Sequence, residues 1–133
     1  MIEKYVVSLE LAKRMRELGW KKKTLFGWYL TIKSKQKVWQ LLSEYPDKTE
    51  TLLELRYTPL FAEIWEELPY EANGIYDLQI IKNCKNETII YYYEQRTRSR
   101  IRKPYETPFH NINPVEVAGE MWCWLVENKY LEV

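Results

Sequence analysis

Histidine is nearly missing from this chain and glycine is scarce: there is one histidine, His110, and four glycines, at positions 19, 27, 74 and 119. A single imidazole excludes metal sites built on several histidines, and nothing around His110 completes a nucleophile motif. A loop histidine beside Phe109 is the plain reading. The scattered glycines leave no phosphate-cradling loop of either common pattern. Cysteine is limited to Cys84 and Cys123, far apart and in no metal-ligand spacing. Two reduced thiols of an intracellular protein are expected, with Cys123 a small packing residue. No catalytic, metal or cofactor site is assigned.

An excess of either charge is also missing. Lys and Arg number 20 against 19 Asp and Glu, for a net charge of +1. That balance argues against a protein that coats nucleic acid as a whole, though a local basic patch survives it. No apolar run is long enough to cross a bilayer, and residues 1–5 lack the apolar stretch of a signal peptide. A cytoplasmic protein without membrane contact is therefore expected, and the sequon Asn86-Glu87-Thr88 carries no weight there. Repeats and low-complexity segments are absent, so residues 1–133 read as one domain.

Aromatic side chains, in contrast, are plentiful. Six Trp, 11 Tyr and 3 Phe make up 15% of the chain, and large aromatics serve cores and interfaces alike. They fall into a clear order of elements. Ser8 caps a first helix whose stripe is Leu11, Ala12, Met15 and Leu18, with pairs Glu10–Arg14 and Lys13–Glu17 one turn apart and Gly19 as the stop. From Thr24 to Lys33 the period becomes two, with Phe26, Trp28, Leu30 and Ile32 on one face. Ser34 to Lys37 reads as a turn and Val38 to Leu42 as the returning strand. The leucines of Thr51 to Tyr57 fit a strand and a helical turn equally.

Thr58 and Pro59 predict the start of a second helix with stripe Phe61, Ile64, Trp65 and Leu68, ended by Pro69. Glu63, Glu66, Glu67 and Glu71 give it an acidic, solvent-facing side, a better match for a basic partner than for acid–base catalysis. A hairpin, Tyr76 to Lys82 and Thr88 to Gln95, follows; its second strand carries large residues on both faces, so it is either central or covered by helices on one face with tyrosines shown on the other. The last helix, Asn113 to Leu131, is capped by Asn113 with Pro114 in its first turn, and Glu116 is placed to reach back to that cap. Ala118, Met121, Trp122 and Leu125 form its stripe, while Gly119 permits close approach by whatever packs there. The order helix, hairpin, helix, hairpin, helix predicts an α+β fold: an antiparallel sheet of two hairpins, with three helices mainly on one face.

Two surfaces stand out as candidates for contact. Arg96, Arg98, Arg100 and Arg102 alternate in a run ending at Lys103; on a continuing strand they share a face suited to phosphate or carboxylate, with Tyr91, Tyr93 and Tyr105 near for stacking. The plain alternative is a solvated edge whose charges discourage aggregation. Trp124 lies across its helix from the apolar stripe, and with Tyr91 and Tyr93 it is the expected anchor for a protein partner or for self-association.

Three segments carry a resemblance when taken in order: Ser8 to Gly19 with Phe26-Gly27-Trp28-Tyr29, then Pro59 to Pro69, then Ala118 to Leu131. Together they resemble a family of small uncharacterised bacteriophage and prophage proteins of unknown function. The resemblance implies a phage-derived, cytoplasmic accessory protein and assigns a role to no residue; the arginine run departs from its pattern. The expectation is thus a non-enzymatic binding module acting through protein contacts or self-association. The alternative is nucleic-acid binding through the arginine run.

Overall fold

Helix α3 (Pro114–Glu127) is buried on most of its circumference: Val115, Val117, Ala118, Gly119, Met121, Trp122, Cys123 and Leu125 are all inaccessible. The computed structural model describes residues 2–46, 50–72, 76–94, 99–100, 109–111 and 113–133. Helix α1 (Leu9–Glu17), helix α2 (Phe61–Glu67) and the strands Thr88–Glu94 and Phe109–Asn111 lie against α3. The fold is α+β with antiparallel sheets, as the order of elements predicts.

Each predicted hairpin seeds its own sheet. The first holds β1 (Phe26–Lys33) between β2 (Gln36–Leu42) and β3 (Thr51–Thr58). The ambiguous segment from Thr51 is therefore a strand, because pairing with β1 supplies backbone partners that local periodicity leaves undecided. The β1–β2 turn is tighter than expected: Lys33 pairs with Gln36, and Ser34 and Lys35 both adopt positive φ, the geometry of a type I′ turn.

The second sheet runs β4 (Glu71–Ala72), β5 (Tyr76–Lys82), β6 (Thr88–Glu94) and β7 (Ser99–Arg100), with β8 (Phe109–Asn111) also paired to β6. β6 is central, flanked by β5 and by β7 and β8, which is one of the two placements its large residues on both faces allow. Ile90 and Tyr92 enter the core with Leu78 and the stripe of α3. The Tyr92 hydroxyl donates to the Pro69 carbonyl at 2.8 Å, and burial pushes its pKa up.

Three local expectations change. Thr58 does not cap α2: its hydroxyl is fully buried and donates to the Val7 carbonyl at 2.7 Å, and Leu60 takes the cap position. Glu63 accepts from the Leu60 amide at 2.8 Å and from the Leu25 amide at 3.1 Å, so it is a tie within the fold and not part of a solvent face. Glu116 does not return to its own cap. It accepts from the Ser8 amide and, at 3.1 Å, from the Ser8 hydroxyl, and so joins the start of α3 to the start of α1. The Arg14 guanidinium likewise crosses to Glu127 at 2.5 Å instead of pairing along its own helix. Between these ties, Val7 and Leu11 sit so close to Gly119 that a Cβ there would lie 2.7 Å from a Leu11 methyl.

Both long helices end alike. After α1, Gly19 turns at positive φ while its amide donates to Arg16 and the Trp20 amide to Met15. After α3, Lys129 takes that position, with the Tyr130 amide donating to Leu125. This pairing satisfies carbonyls that the last turn would otherwise leave open, so α3 stops short of Leu131.

Candidate functional site

The alternation of β3 sends Glu54 and Arg56 to one side of its sheet, opposite Leu30 and Trp28. Arg56 is largely enclosed there. Its guanidinium lies 4.3 Å from the Trp39 ring centroid, bonds Glu54 at 2.5 Å and donates to the Leu9 carbonyl at 3.4 Å. That arginine is a packing residue, since its fork is held by Glu54 and Leu9 and its face by Trp39.

The start of β3, Thr51 to Leu53, is open. A register shift between Leu30 and Thr31 leaves Leu53 as the extra residue between Leu52 and Glu54. Such a bulge lets two successive side chains turn the same way, and both leucines are exposed, at 37% and 45%. Across from them, the end of α1 contributes Arg16, followed by Trp20 and Lys21. Together with Leu55 and Tyr57 these residues line a concavity of about 610 Å³.

Electrostatics give this groove a basic rim. Arg16 is well exposed; it donates to the Leu55 carbonyl at 3.0 Å and stands 3.9 Å from Glu54. Glu54 is the acidic group of the lining, and its carboxylate is held closer by Arg56. Lys22, next in sequence, is engaged by Glu66 and Glu67 at 3.5 and 2.8 Å, so the acidic side of α2 is partly neutralised within the molecule.

A smaller concavity, about 350 Å³, lies farther along the same sheet face among Tyr29, Tyr45 and Tyr57, with Lys23 and Glu44 at its border. The Tyr29 and Tyr45 rings lie 5.9 Å apart. Burial, followed by the neighbouring phenols of Tyr45 and Tyr57, raises the Tyr29 pKa.

The sequence candidates are dispersed. Of the arginine run, Arg100 lies in β7 with its backbone opposite Tyr93, while Arg96, Arg98 and Arg102 fall outside the described residues. Tyr91 is half-buried. Trp124 is half-buried too, packed on the core and stacked on Tyr130 at 5.7 Å. His110 lies in β8, its backbone opposite Ile89. Cys84 is exposed, whereas Cys123 is buried, and burial raises its thiol pKa to about 12. Among the described residues no cluster of three or more His, Cys, Asp or Glu is placed to hold a metal ion, and no helix is long and apolar enough to cross a membrane.

No family model matches the chain, and no curated protein or solved structure matches it either. The groove beside β3 was not anticipated from the sequence. Its signal there was the Leu52-Leu53 pair, which breaks the strand period and made that segment ambiguous.

Proposed function

We propose that this protein is a small non-enzymatic binding module that works through protein contacts, in a phage or prophage setting as the three resembling segments suggest. The observation that carries the reading is the apolar groove between α1 and β3. Leu52 and Leu53 stand exposed beside Trp20 and Tyr57. Large aliphatic and aromatic groups gathered in one concavity are what a contact surface needs at its centre, with charge at its rim. Trp124 is a lesser candidate, because its ring is already stacked on Tyr130.

The test is site-specific cross-linking in cells. A photoreactive side chain at position 53 is expected to give discrete adducts, which disappear when Leu52→Glu is added. Sedimentation of the pure protein then separates self-association from a different partner. Equal, diffuse labelling from positions 53 and 85 argues against the reading.

A second reading is nucleic-acid binding through the arginine run, favoured by the register that sets Arg100 opposite Tyr93 on the central strand. It predicts binding to single-stranded DNA or RNA that weakens with salt. The same binding should vanish when Arg96, Arg98, Arg100 and Arg102 become Gln. Salt-insensitive association counts against it.

A further inference from the structure

We propose that the groove receives an extended, carboxylate-bearing segment of a partner protein, which adds to the first sheet as a strand along the outer edge of β3. This inference rests on the protein-contact reading and names the partner's chemistry.

The outer edge is the first observation. Among the described residues β3 pairs with β1 alone, so its opposite side has no strand neighbour. An unpaired edge offers a row of backbone donors and acceptors to any extended chain. Natural sheets blunt such edges with charge, proline or a covering element. In β3 the half nearest Thr58 is flanked by α1, while Thr51 to Leu53 is exposed.

Arg16 is the second. Its guanidinium donates to the Leu55 carbonyl at 3.0 Å, which shows that this carbonyl points away from β1, toward the groove. The donor is the tip of a long, exposed side chain, in the position that an incoming strand's N–H would take. An added strand that supplies this hydrogen bond from its own backbone releases the guanidinium. The freed fork then meets the new strand's side chains at once.

Charge and shape settle the occupant's character. Arg16 and Lys21 border the groove, and its acidic residue, Glu54, is held by Arg56 at 2.5 Å. A carboxylate on the added strand is therefore attracted by both cations. Strand periodicity turns alternate residues toward the exposed Leu52 and Leu53, where aliphatic side chains fit. An alternating acidic and aliphatic segment meets all three conditions, and a basic one meets two.

The probe is a blocked hexapeptide of alternating valine and glutamate, titrated into the full chain by calorimetry, with amide exchange of β3 followed by NMR. Binding is expected with slowed exchange of the outward amides of β3. Methylating alternate peptide nitrogens, which removes strand donors and keeps charge, is expected to weaken binding roughly ten-fold or more. A valine–lysine peptide should bind comparably weakly. Arg16→Gln with Lys21→Gln, both on the surface, should abolish the preference for glutamate and the salt dependence of binding.

Equal affinity of the methylated and unmethylated peptides overturns strand addition. So does β3 protection that rises with the concentration of the protein alone, which makes a second copy the occupant. If the peptide fails while adducts from position 53 persist, this inference falls and the contact reading stands. If both fail, the contact reading falls as well.

Discussion

The two thiols differ first in burial. Cys84 sits exposed on the β5–β6 loop, whereas Cys123 is inaccessible and its pKa is about 12. The thiolate is the reactive form, so at pH 8 iodoacetamide should modify one cysteine in the native protein and the second after denaturation. Rapid modification of both without unfolding would contradict the placement of Cys123. Glu116 shows a balance of opposing effects. Burial raises its pKa, the two Ser8 hydrogen bonds lower it, and the carboxylates of Glu120 and Glu10 raise it; the net direction is upward. The folded protein thus holds this proton more tightly than the unfolded chain, whose carboxyl titrates near the ordinary value of about 4.3. Its contribution to stability therefore grows as pH falls from above the raised value to the ordinary one. Glu116→Gln keeps an acceptor for the Ser8 amide but removes the titration. The urea midpoint of wild type relative to this variant should rise on acidification through that window, and a fall would reverse the assignment.

At the scale of single elements, the β1–β2 hairpin is the clearest case of a local compromise. Ser34 and Lys35 both hold positive φ, where side chains are disfavoured and where Asn-Gly is the preferred pair. Ser34→Asn with Lys35→Gly should stabilise the protein by about 1 kcal/mol, read from urea unfolding with the slope unchanged. A loss of stability would mean that this turn is held by contacts beyond its backbone geometry. Helix starts were readable where one side chain settles them. Ser8 accepts from the Leu11 amide at 3.3 Å and Asn113 from the Val115 amide at 3.1 Å, as the capping pattern predicts. Thr58, a threonine before proline, has the form of a cap, while its real partner, Val7, lies 51 residues away. Strand β3 was undecidable for the related reason that its second leucine is a bulge, defined by its pairing with β1.

Across the whole molecule, α3 joins the parts. One side meets β6 through Ile90 and Tyr92, and Trp122 meets Trp20 edge-on at 5.2 Å. The α1 contact is framed by Ser8–Glu116 at one end and Arg14–Glu127 at the other, with Gly119 between them. Gly119→Ala would gain helix propensity but force Leu11 and Val7 outward, at a net cost of about 1–3 kcal/mol. Thermal unfolding should show a lower midpoint for this variant, and combining it with Leu11→Ala should cost less than the sum of the two single losses. Additive losses in the pair would place the strain elsewhere. The exposed Arg14–Glu127 pair should contribute little beyond register, since exposed ion pairs are weak.

Periodicity and capping residues determined the three helices, the strands of the two hairpins and the buried stripe of α3, because each depends on spacing within one segment. The candidate surfaces did not follow in that way. That Arg56 is enclosed while Arg16 stands at a groove, that Glu116 serves another helix, and that Leu53 is a bulge exposed beside Leu52 were decided by tertiary structure. A charged or apolar residue acquires its role from neighbours distant in sequence, and burial and register between segments fix which neighbours those are.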